Sequence, residues 1–151
     1  LSFVETKKIK MEELAPVIEE TLNNGGTFEI GIKGTSMLPL LVEGRDSVVL
    51  TAATSFLKKD DIPFYRRADG SFVLHRVWKA ENGVYTMCGD NQWVKETGVE
   101  HSRIIGVVAS IRRKGRELSV SSMRYKLYCA LWRMLFPVRK YIVKIRGKLK
   151  K

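Results

Sequence analysis

The sequence predicts a mainly β protein: an antiparallel β body behind one N-terminal helix and ahead of a basic, amphipathic helical tail. Three observations predict it. Short runs of alternating or β-branched residues follow one another through the middle of the chain. The connections Ala68-Asp69-Gly70, Glu81-Asn82-Gly83 and Lys114-Gly115 carry the residues that tight hairpins need. At both ends the hydrophobic period lengthens to three or four residues. A length of 151 residues suits one compact domain, read as a body over 1–120 and a tail over 121–151.

Met11, Leu14, Ala15, Ile18 and Leu22 mark the first helix, which Asn23-Asn24-Gly25-Gly26 should stop. Pro16 is expected to kink it or delay its regular part. Phe28, Ile30 and Ile32 then alternate with polar residues as a strand ending near Gly34. Ser47 to Thr51 is a β-branched strand, and Ile62 to Arg67, Ser71 to Lys79 and Val84 to Cys88 are three more. Ile104 to Arg113 and Glu117 to Val120 form the last hairpin. From Met123 the face Leu127, Leu131, Met134, Val138, Ile142 and Ile145 is helical, with Ser121 or Ser122 as N-cap and a bend at Pro137.

Composition removes several classes. A chain 44% hydrophobic and 28% charged is neither disordered nor collagen-like. Cys88 and Cys129 are too few for a disulfide scaffold, and neither a zinc pattern nor a phosphate loop is present, so no cofactor or metal is expected. No apolar run reaches the roughly 20 residues of a membrane span. Glu5, Lys7, Lys8 and Lys10 interrupt any export signal. Charge is unevenly shared. From Ile111 to Lys151 there are 14 Lys or Arg against the single acid Glu117, whereas the first 110 residues carry a small negative excess. Such a tail calls for a polyanion: an anionic membrane surface or a nucleic acid.

Three short segments hold chemistry. In Gly34-Thr35-Ser36-Met37-Leu38-Pro39 a serine follows a strand end and is framed by glycine and proline, the placement a nucleophile needs. Val73-Leu74-His75-Arg76-Val77 sets a histidine in a strand, where imidazole can take a serine proton and return it to a leaving amine. Cys88-Gly89-Asp90-Asn91 ends the next strand, so Asp90 is placed to orient that imidazole. His101, Trp78, Trp93 and Cys88 read as a solvated loop residue, two packing or cleft-lining rings and a small core residue.

In this order, GTSMLP, LHRV, CGDN and IIGVV resemble the signal peptidase I family of serine endopeptidases, over about half the chain from Ile30 to Val108. The resemblance implies a LexA/signal peptidase-like fold, with Ser36 as nucleophile. It implies the histidine-base type of the archaeal and endoplasmic-reticulum members, with His75 as base and Asp90 as the acid completing the site. Gly34 stands where the family usually offers a hydroxyl to the oxyanion, leaving that role to backbone N–H groups near Ser36 or to the Thr35 hydroxyl. A charged helix occupies the place of the family's membrane anchor. The LexA-like self-cleaving repressors share the fold but use lysine where His75 stands. The expected function is therefore cleavage of a precursor protein or peptide, with small residues one and three before the cut, by a protein held peripherally on the cytoplasmic side of a membrane. The alternative is a non-catalytic β module whose tail binds nucleic acid.

Overall fold

The computed structural model of the chain describes residues 10–149. The expected charged leader with Glu5, Lys7 and Lys8, and the last two lysines of the tail, lie outside the described residues. Helix α1 (Met11–Asn23) is followed by strands β1 (Phe28–Gly31), β2 (Asp46–Thr51), β3 (Pro63–Arg66), β4 (Phe72–Leu74), β5 (Arg76–Glu81), β6 (Val84–Cys88) and β7 (Glu96–Glu100). A short 3-10 turn (His101–Arg103) leads into β8 (Ile104–Arg113) and β9 (Arg116–Ser119), and helices α2 (Met123–Met134) and α3 (Phe136–Leu149) close the order. The protein is mainly β and antiparallel.

The strands form two sheets. The larger runs β1-β2-β8-β3-β4, with β9 also on β8; the smaller runs β5-β6-β7. Long β8 is the spine, because β2 pairs along one edge while β3 and β9 share the other. All three expected hairpins form. At Asn82-Gly83 both residues have positive φ (50° and 76°), the backbone that a two-residue hairpin requires and that glycine supplies without strain.

One core lies between α1, the larger sheet and α2. Ala15, Ile18 and Leu22 meet Ile30, Val48, Leu50, Val108 and Ile111 there. A second core, around Tyr65, Val77, Tyr85 and Met87, joins the two sheets.

Five expectations change. The helix α1 begins at Met11 and runs continuously past Pro16, so the proline does not delay it, and it costs the helix the one N–H that proline lacks. The single strand expected from Ser71 to Lys79 is two strands in different sheets, and the chain crosses between them at His75. The strand β7 was not anticipated. Pro137 does not bend one helix; it occupies the first turn of a second, where its missing N–H costs nothing. His101 is not simply solvated, since its Nδ1 lies 2.7 Å from the Tyr85 hydroxyl and its ring stands edge-on to Phe56.

The tail packs on the body through a different face from its apolar one. Ser122 caps α2 through the Tyr125 N–H, as expected. Yet the buried face is Tyr125, Cys129 and Trp132, while Leu127, Leu131 and Met134 are 61%, 47% and 69% exposed. The body presents buried polar groups to α2, and only side chains that can donate or accept satisfy them. Trp132 is a buried donor, its indole N–H bonded to the Asp90 carbonyl.

Candidate active site

The crossing between sheets places His75 beside a cleft of about 360 Å³, lined also by Arg67, Asn91, Trp93, Val94 and Glu96. Only 3% of the His75 surface is exposed. Burial pushes its imidazole down and the Arg67 guanidinium lowers it further, against Glu96 and Asp90, so that it titrates at about 4. At neutral pH the ring is uncharged and able to accept a proton.

The ring's orientation follows from its neighbours. His75 Nδ1 lies 3.4 Å from the Tyr65 hydroxyl, which donates its one proton to Glu96 Oε2 at 3.2 Å. Burial and the Glu96 charge push the Tyr65 phenol well above its ordinary range, so that proton stays in place. The phenol oxygen can then only accept from the imidazole, which puts the ring proton on Nδ1 and the lone pair on Nε2. Arg67 completes the chain, with Nε and Nη2 at 3.0 and 2.9 Å from Glu96 Oε2. Among the described residues the imidazole's one hydrogen-bond partner is the Tyr65 hydroxyl, on Nδ1.

Ser36 is half-buried in the turn after β1. Its carbonyl accepts the Asn91 N–H at 2.9 Å, and the neighbouring Met37 sulfur accepts the Asp90 N–H at 3.5 Å. The serine turn is thus stapled to the turn that follows β6. Gly89 makes the approach possible, since a Cβ there would come within 2.6 Å of the Ser36 carbonyl oxygen. His75 and Gly89 lie one residue outside the Arg76–Cys88 pair that ends the β5–β6 ladder, and among the described residues no hydrogen bond joins Ser36 to His75. Gly34 N–H is spent on Glu43 Oε2 at 3.0 Å, whereas the Ser36 N–H has no partner among the described residues. Downstream, Asp46 closes the serine loop. Burial raises its carboxyl, but Arg113, Arg45 and the Val42 N–H outweigh this and hold it at about 2.

The role expected of Asp90 is not met. Its carboxylate is fully buried and engaged by Arg76 (Nε–Oδ1 2.7 Å, Nη2–Oδ2 2.9 Å) and by the Tyr128 hydroxyl at 2.8 Å. The imidazole is oriented by Tyr65 and Glu96 instead. Adjacent strand residues point to opposite faces, and Asp90 joined the face of Arg76 rather than that of His75.

A pH dependence of stability follows from the His75 environment. Its folded pKa of about 4 lies below 6.5, so the unfolded chain takes up the proton first. The stability that neutral His75 supports is complete above about pH 6.5 and is lost as pH falls toward 4, by about 3 kcal/mol in all. Urea midpoints of the wild type should fall more steeply across this window than those of His75→Gln; parallel curves would show that burial does not hold the imidazole neutral.

Comparison with family models, curated proteins and solved structures finds no match to this chain.

Proposed function

We propose that this protein is a serine endopeptidase of the signal peptidase kind, cleaving a precursor protein or peptide through an acyl-enzyme on Ser36. One observation carries the reading: the Ser36 backbone is bonded to Asn91 on the wall of the cleft that neutral His75 also lines. His75 Nε2 takes the Ser36 Oγ proton as Oγ bonds to the scissile carbonyl carbon. The same proton passes to the leaving amine as the C–N bond breaks, and water, deprotonated by His75, releases the acid product. The Ser36 N–H, which has no partner among the described residues, is the donor for the oxyanion. The outer strand β4, which ends beside His75, offers a free edge on which an extended substrate can add a strand. The test is parallel digestion of a precursor with small residues one and three before its cleavage site. Wild type should cut it and Ser36→Ala should not; identical patterns would overturn the assignment.

Among the described residues no helix is long and apolar enough to cross a membrane. Peripheral attachment to an anionic leaflet is the second half of the proposal. Leu127, Leu131, Met134, Val138 and Ile145 are all at least 46% exposed, and Arg124, Lys126, Lys140, Lys144 and Lys148 stand exposed around them. Each lysine or arginine near anionic headgroups contributes about 1 kcal/mol, while the apolar stripe enters the interface. Co-sedimentation with phosphatidylserine-containing vesicles at low salt should capture the wild type and lose Leu131→Glu/Val138→Glu. Binding of nucleic acid without vesicle binding would reverse this assignment.

A further inference from the structure

We propose that the C-terminal helices are a working part of the cleft: Tyr128, Trp132 and Arg139 are positioning residues that hold the turn on which Ser36 is seated. The inference rests on the reading of Ser36 and His75 as the reacting pair. The turn Gly89–Gln92 leaves β6 and continues into exposed Trp93, Val94 and Lys95, a connection of the kind that moves freely unless it is tied down. Each of its last three residues is tied by a tail side chain. The Tyr128 hydroxyl donates to the Asp90 carboxylate at 2.8 Å, and Trp132 Nε1–H donates to the Asp90 carbonyl at 2.8 Å. Arg146 donates to the Asn91 side chain, and Arg139 Nη1 donates to the Gln92 carbonyl at 3.3 Å. Arg139 is itself 3% exposed and anchored to the Trp132 carbonyl at 2.9 Å. The Asn91 N–H at the centre of this grip is the group that bonds the Ser36 carbonyl. A brace from α2 and α3 therefore reaches the nucleophile through one intervening turn.

The test pairs a readout of the turn with a readout of chemistry. Tyr128→Phe/Trp132→Phe keeps an aromatic ring at each position and removes both donors that the tail gives Asp90, leaving those of Arg76. In this variant amide exchange at Asn91 should quicken about 10-fold or more while amides of β2 and β8 keep wild-type rates. On a peptide substrate kcat should fall by about 10-fold with KM within about twofold, as misplacement of a reacting group predicts. Trp132→Phe alone should move both readouts the same way by less, and it decides the matter should the double variant not fold. Unchanged Asn91 exchange, exchange raised equally throughout the sheets, or a loosened turn with unaltered kcat would each overturn the brace. If the wild type cleaves nothing, the peptidase reading falls, and Asn91 exchange alone decides whether the tail holds the turn.

Discussion

Arg76→Leu is expected to destabilise the folded chain by about 3–5 kcal/mol, the range for removing one partner of a buried ion pair. Arg76 is 6% exposed and Asp90 is fully buried. The guanidinium meets the carboxylate in a two-pronged pair, and its remaining nitrogen donates to the Asp60 carbonyl, the Tyr125 hydroxyl and the Cys129 sulfur. Leucine would leave Asp90 charged, out of water, with the Tyr128 hydroxyl as its remaining side-chain donor. Asp90→Asn should be milder, because an uncharged amide still accepts from Arg76. Urea unfolding of both variants checks the order. A loss under about 1 kcal/mol for Arg76→Leu would mean that water reaches the pair.

His75→Ala should lower kcat by about 10²–10⁴-fold, the span of general acid–base catalysis. The pH profile separates a base from a merely buried ring. With the imidazole at about 4, the acid limb of kcat/KM should fall there rather than near 6.5. Arg67 and Glu96 pull the imidazole in opposite directions, Arg67 down and Glu96 up. Arg67→Gln should therefore move the acid limb toward neutral pH, and Glu96→Gln should move it lower. A limb that stays fixed in both variants belongs to another group.

Much of this was legible along the chain. Alternation and turn glycines marked the hairpins, and the serine turn does abut the Gly89-Asp90-Asn91 turn. What escaped was mostly a matter of direction. No short spacing says whether a carboxylate after β6 faces His75 or its neighbour Arg76, because that depends on the face to which each side chain turns. Tyr65 drew no notice within its strand, yet it is both part of the core and the partner of the imidazole. The strand β7 has Val99 as its one buried residue, so alternation could not reveal it. In the tail, apolar periodicity marked the exposed face of the helix but not the polar-aromatic face that packs on the body. Buried Arg76 and Asp90 drew the tyrosines and the tryptophan inward, and the leucines were left outside.

Chain order gives the tail a consequence in time. Domains form from the N-terminus as the ribosome delivers them, so both sheets, with Ser36 and His75, emerge before α2 and α3. Until Tyr128 and Trp132 arrive, Asp90 lacks two of its partners, and the turn bonded to Ser36 lacks its hold from the tail. On the peptidase reading proposed above, a body that is already folded still waits for α2 and α3 before the turn beside Ser36 is held from both sides.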